Sequence, residues 1–159
     1  MPDASALAAF AKTEVRAFTQ LSLAELYDLL RLRSEVFVVE QDCAYQDLDG
    51  RDPGAFHVLT TDARGLLAYT RLLPPGALHA DACAIGRVIA VRHARGEGHG
   101  RRIMRRSIRE CHGRWPGRDI VIHAQSYLLR FYGGLGFVAE GEEFLEDGLP
   151  HFSMRLSAP

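Results

Sequence analysis

Residues 83–115 run, without interruption, through an apolar stretch, a glycine-rich turn and an amphipathic helical pattern. The first piece, "CAIGRVIAV" (83–91), is rich in β-branched residues and reads as a buried strand. The last, "GHGRRIMRRSIRECHGRW" (98–115), puts Ile103, Met104, Ile108 and Cys111 on one helical stripe and arginines on the other faces. Between them stands Arg95-Gly96-Glu97-Gly98-His99-Gly100, with glycine at every second position. Glycine loses more backbone entropy on folding than any other residue, so this spacing demands a reason. At a strand-to-helix turn, glycines let successive N–H groups converge on one point. The helix macrodipole then favours an anion there. A phosphate or pyrophosphate is the expected ligand, against the plain alternative of an ordinary turn.

The pattern excludes two common phosphate loops. A P-loop needs Lys followed by Ser or Thr after the last glycine, and here Arg101 and Arg102 follow. The dinucleotide fingerprint needs a third glycine where Arg101 or Ile103 stands. The rest of the chain agrees with neither fold. "EVRAFTQ" (14–20) reads as a strand. Ser22 and Glu25 form a capping-box pattern that opens one helix over 23–41. Residues 42–54 are a polar loop. "AFHVLTT" and "GLLAYTRLL", separated by "DARG", form a hairpin. "DIVIHAQ" (119–125) is a strand, 126–135 a short helix and "HFSMRL" (151–156) a closing strand, with one more short strand at 137–140. Hairpins mixed with crossover helices predict an α/β (α+β) fold around a mixed sheet, not a doubly wound parallel one.

One domain over 1–159 fits the length, with 1–13 as a leader turn or short helix. A net charge of −1 gives no bulk attraction to nucleic acid or membrane, so neither is expected as a partner. Cys43, Cys83 and Cys111 are odd in number and form no CxxC pair, which suits reduced thiols and a cytoplasmic location. The seven histidines show no paired metal-ligand spacing, so no metal site is expected.

Arg95, Gly98 and Gly100 resemble motif A of the GNAT family, the Gcn5-related N-acetyltransferases, written (Gln/Arg)-x-x-Gly-x-(Gly/Ala). "QSYLLRFYGGLGF" is similar to the family's motif B. It gives Gln125, Leu128, Tyr132, Gly136 and Phe137 at the right spacing, with Gln for the usual Asn and Leu for the usual Ala. "LRSEVFVVEQDCAYQDLDGRD", "IGRVIAV", "FYGGLGF" and "EDGLPHFSMRL" resemble the ElaA-type branch of that family, over about residues 20–156.

The resemblance implies a mostly antiparallel sheet of six to seven strands with helices on both faces. It implies acetyl-CoA as cofactor and a primary amine, on a small molecule or a peptide, as acceptor. The pyrophosphate would lie on the amides of Gly96, Glu97, Gly98, His99, Gly100 and Arg101, with Arg95 flanking them, and Gln125 would contact the pantetheine arm. Val88, Ile89 and Ala90 would pair with the pantetheine arm through their backbone. A bulge in that strand would present an N–H to the thioester carbonyl. Tyr132 would be the general acid; its plainer reading is a core aromatic. A homodimer is a family-level expectation.

Acidic residues crowd 40–57, with His57 just beyond. One reading is an acidic mouth for a cationic amine, with Asp47, Asp49 and His57 binding it and Glu40, at the helix end, as base. The other is a polar loop with turn residues. His57 and His123 also read as structural strand histidines. Two other functions compete: an acyl-CoA-binding module without turnover, and a nucleotide-binding domain using the same loop.

Overall fold

The computed structural model describes residues 3, 6 and 10–159. The expected leader over 1–13 therefore lies mostly outside the described residues, and its last two residues already belong to a strand.

Seven strands form one sheet: β1 (Lys12–Ala17), β2 (Phe56–Asp62), β3 (Gly65–Leu73), β4 (Cys83–Ala90), β5 (Ile120–Gln125), β6 (Val138–Glu146) and β7 (Leu149–Leu156). Their spatial order is β1-β2-β3-β4-β5-β7-β6. Every neighbouring pair is antiparallel except β4–β5. This is the mixed, mostly antiparallel sheet that the alternation of hairpins and helices predicts.

The helices take opposite faces. α1 (Leu23–Arg33) places Leu29 and Leu32 against Leu59, Leu67, Tyr69 and Ile89. α2 (His99–Arg114) places Ile103, Met104 and Cys111 against Val58, Leu72, Ile85 and Ile122. β2 feeds both cores by simple alternation, Val58 to one face and Leu59 to the other. Each fully buried aliphatic side chain contributes roughly 1.5–3 kcal/mol of transfer free energy. A short α3 (Leu129–Gly133) follows β5. The capping box is present: Ser22 Oγ accepts from Glu25 N–H at 3.0 Å, and Glu25 Oε1 accepts from Ser22 N–H at 3.0 Å.

Three expectations need correction. β1 ends at Ala17, and Phe18–Gln20 make a tight turn. The first helix is not uniform to residue 41; Ser34–Glu40 widen into π-type turns. The short strand at 137–140 is a nine-residue edge strand, β6. Its outer position explains the polar sequence: Val138 to Glu143 are all exposed, so no apolar alternation marks it. Its hairpin to β7 turns on Asp147 (φ +50°) and Gly148 (φ +77°), the two positive φ values of a type I′ turn.

Candidate active site

β4 and β5 pair only at Cys83–Ile120 and Ala84–Val121, then separate. From Ile85 to Ala90 the β5-facing edge of β4 has no strand beside it among the described residues. On its other side β4 carries a bulge. Gly86 pairs with Arg71 and Ile89 with Tyr69, so Arg87 and Val88 together oppose Thr70. Arg87 adopts φ +50°, unusual for a residue with a Cβ. The separation opens a cleft of about 890 Å³ lined by Val88, Ile89 and Ala90, by the glycine turn, and by Gln125 and Tyr132.

The glycine turn lies at the head of α2. Gly96 (φ +88°) and Gly98 (φ +84°) are in the left-handed region, and Gly98 is the helix N-cap. Side chains lock the turn from behind. Glu97 is held by Arg64 at 2.9 Å through both carboxylate oxygens. Glu97 also accepts from His99 Nε2 at 2.9 Å, while His99 Nδ1 accepts from Arg102 at 3.0 Å. Arg64 and His99 hold the Glu97 carboxyl down at about 2, and Glu97 is absent from the cleft lining. The one acidic residue of the turn is thus kept out of the cleft. Arg101 is exposed, lines the cleft and has no hydrogen-bond or ion-pair partner among the described residues.

Tyr132 lies in α3, 6 % exposed, and reaches the cleft. Its ring packs edge-on against Phe131 and Phe137. Its hydroxyl has no hydrogen-bond partner among the described residues. Burial pushes the phenol well above its ordinary pKa, so it stays protonated at neutral pH.

Glu40 and Arg95 line the cleft as a pair. Arg95 donates to Glu40 Oε1 at 2.7 Å and Oε2 at 3.2 Å, and its Nε donates to the Ala90 carbonyl. The guanidinium holds the Glu40 carboxyl below the usual range, which makes it a weaker base than a free glutamate.

The expected acidic mouth takes a different form. Asp47 and Asp49, with Asp52, face inward onto three arginines. Arg33, fully buried, donates to Asp47 at 2.8 Å and to Asp52 at 2.7 Å. Arg71 grips Asp49 through two contacts of 2.8 Å. Arg87 donates to Asp47 at 2.7 Å and to its carbonyl at 2.9 Å. The network therefore fastens the bulge residue Arg87 to the 42–54 loop. Burial acts against the ionised forms of Asp49 and Asp52, but their arginines outweigh it and hold both carboxyls below the ordinary range. His57 is also buried, between the Tyr69 hydroxyl at 2.6 Å and the Asp52 carbonyl at 3.0 Å. Burial pushes its pKa down, so it stays neutral. None of Asp47, Asp49 and His57 lines the cleft. Sequence reading saw the acids and missed their partners. The signal was Arg33 on the stripe of Leu26 and Leu29, and Arg71 on the buried face of β3: a buried arginine requires an acid.

Among the described residues, no group of three or more His, Cys, Asp or Glu side chains is arranged to hold a metal ion. No helix there is long and apolar enough to cross a membrane.

Residues 11–158 match the acetyltransferase (GNAT) domain family. The chain is 40 % identical to the protein ElaA of Escherichia coli over 138 residues, 86 % of this chain and 90 % of that one. The crystal structure of E. coli ElaA superposes with a TM-score of 0.87 at 37 % identity, covering 92 % of this chain and 99 % of that one. An acyl-CoA N-acyltransferase from Pseudomonas aeruginosa gives the same TM-score and coverage at 41 % identity. The chain belongs to the GNAT acetyltransferase family, on its ElaA-like branch.

Proposed function

We propose that this protein transfers the acetyl group of acetyl-CoA to a primary amine by direct attack within a ternary complex. The observation that carries the reading is the open edge of β4 leading into the glycine turn. An extended pantetheine arm needs unpaired strand edge, and its pyrophosphate needs convergent amides beside a free cation; β4, Gly96–Gly100 and Arg101 supply them in that order. Acetyl-CoA supplies an activated acyl group. At the bulge, the backbone N–H groups of Arg87 and Val88 have no strand-register partner, and one of them stabilises the charge that develops on the thioester oxygen. Tyr132 donates its proton to the departing sulfur.

The test is turnover. Acetyl-CoA is incubated with a panel of aliphatic amines, polyamines, aminoglycosides and peptides with free N-termini, and thiol release is followed. Release above the amine-free background is expected for at least one class. Acetyl-CoA binding with no release from any amine would instead make the fold a binding module.

Gly100 gives a second check. It lies in helical conformation, and an added Cβ would meet only Phe131 Cζ, at an ordinary 3.8 Å. Nothing in the protein's own packing requires glycine there. Gly100→Ala is expected to stabilise the free protein by about 0.4–1 kcal/mol. The same methyl is expected to weaken acetyl-CoA binding about tenfold or more, ~1.4 kcal/mol, by standing where the phosphate approaches. Thermal unfolding and calorimetry on one variant read both signs. Equal affinity would remove Gly100 from the phosphate cradle.

A further inference from the structure

Opposite the bulge, the cleft has a second polar cluster that neither motif includes. His123 on β5 places Nδ1 2.9 Å from Glu146 Oε1 at the end of β6. The other carboxylate oxygen of Glu146 lies 3.6 Å from His151 Nε2 on β7. Strand register puts these groups on one face. Gln125 pairs with His151, His151 with Phe144 and Leu149 with Glu146, while His123 pairs with Ser153 two residues along β7. That is the face opposite Ile122, Ala124 and Met154, whose side chains pack in the core beneath α2. His123, Glu146 and His151 all line the cleft.

The chemistry of the contact fixes a tautomer. An ionised carboxylate only accepts, so His123 Nδ1 carries a hydrogen, and in the neutral imidazole the lone pair is then on Nε2. His123 holds the Glu146 carboxyl below its ordinary pKa, and Arg87 on β4 adds to this, so Glu146 is ionised at neutral pH. An imidazole whose Nδ1–H is held by a carboxylate is the oriented base of acyl-transfer triads. His123 is also well placed along its strand. It lies two residues beyond the last β4–β5 pair, Ala84–Val121, where the strands have separated, on the β5 wall of the cleft. Its side chain is 35 % exposed. The Phe144 and His79 rings pack against it near right angles, with centroids 5.3 Å and 5.7 Å away. Glu40, the base expected from sequence, is neutralised by Arg95 instead.

We propose that His123, oriented by Glu146, is the general base that deprotonates the acceptor. The assignment rests on the amine-acetylation reading above. The acceptor enters as an ammonium ion and gives one proton to His123 Nε2, and Glu146 stabilises the imidazolium that forms. The neutral nitrogen bonds to the thioester carbon as the carbon–sulfur bond breaks. The sulfur takes the Tyr132 proton, the second nitrogen proton restores the phenol through water, and His123 releases its proton to solvent. The products are the N-acetylamine, free CoA thiol and one proton. His123 is the catalytic residue in this scheme, and Glu146 positions it.

The titratable and charged groups around His123 are Glu146, His151, His79 from the segment between β3 and β4, and Arg87. Glu40 and Asp147 line the same cleft. The experiment compares wild type with His123→Asn and Glu146→Gln, using the best amine of the panel, from pH 7 to pH 9.5. At pH 7, His123→Asn is expected to lower kcat/KM about 10²-fold or more, the usual worth of a positioned base. Glu146→Gln is expected to lower it about tenfold, as an orienting partner. Both deficits should shrink steadily as pH approaches the pKa of the free amine, about 10 for an alkylamine, because solvent then supplies the neutral nucleophile. Acetyl-CoA affinity should change less than threefold in both variants.

A deficit that is the same at pH 7 and pH 9.5, or activity within threefold of wild type at pH 7, overturns the assignment while leaving acetylation intact. Loss of acetyl-CoA binding in His123→Asn together with an unchanged Glu146→Gln also overturns it, since the histidine would then be structural. No transfer by the wild type to any amine overturns the acetylation reading and this assignment with it.

Discussion

Replacing Tyr132 with phenylalanine is expected to lower kcat about 10²–10⁴-fold, the range for a positioned proton donor, and to leave acetyl-CoA affinity nearly unchanged. The substitution keeps the ring that packs edge-on against Phe131 and Phe137, so the core loses nothing. It removes only a hydroxyl that has no protein partner among the described residues. Tyr132 lines the cleft, so its hydroxyl is available to a departing thiolate in the proposed reaction. The raised pKa does not prevent the role; it keeps the proton on oxygen until a strong enough base forms beside it. Steady-state kinetics with a competent amine, alongside cofactor titration, decides the matter. A kcat within a few-fold of wild type makes Tyr132 a core aromatic. A joint collapse of kcat and affinity makes it an anchor for the cofactor.

Arg33→Met is expected to destabilise the fold by about 3–5 kcal/mol, the typical effect of removing one partner from a buried ion pair. Methionine fills much of the volume, so the loss comes from electrostatics. Asp47, 5 % exposed, and Asp52, 6 % exposed, would lose their shared guanidinium. Each would keep one arginine, Arg87 and Arg71 respectively. Urea unfolding with an unchanged m-value would read the loss directly. A change under 1 kcal/mol would show that the network does not hold the 42–54 loop. In the wild type, Asp49 and Asp52 have folded-state pKa values below those of the unfolded chain. Their contribution is therefore complete above about pH 4–5 and is lost as pH falls below the unfolded carboxylate value of about 3.9. An acid limb in the stability profile should appear there and flatten in Asp49→Asn.

The contrast between these two residues shows what sequence could reveal. Tyr132 lies within a local motif, a few residues from Gly136 and Phe137, and local spacing places it. The glycine turn, the capping box at Ser22 and the β2–β3 hairpin are local in the same sense. Arg33, by contrast, meets its partners 14 and 19 residues away, and Arg87 meets Asp47 across 40. Charge counting sees five acids in 40–52, but only the fold shows which cations face them. β6 escaped a period-2 reading because an outer strand with few buried side chains has no apolar alternation, although Asp147-Gly148 marked its turn. His123 and Glu146 meet across β7, which lies between β5 and β6, and strand order cannot be read from either segment alone. The bulge at Arg87 was expected in its strand. Its fastening by Asp47 was not, and that link makes the acidic loop part of the site's scaffold rather than its mouth.

Calorimetric titration of acetyl-CoA, ATP and NAD into the wild type and Gly98→Val tests the central claim most directly. Gly98 sits at φ +84°, and an added Cβ would lie 3.0 Å from Arg102 Nη1, so valine should distort the turn proposed to hold the pyrophosphate. The expected result is saturable binding of acetyl-CoA alone, weakened about 10²-fold, ~2.7 kcal/mol, in a variant that keeps the wild-type far-ultraviolet circular dichroism spectrum. Binding of ATP or NAD in preference to acetyl-CoA, or equal acetyl-CoA affinity in Gly98→Val, would contradict the assignment of this turn and the β4 edge as a CoA-thioester site.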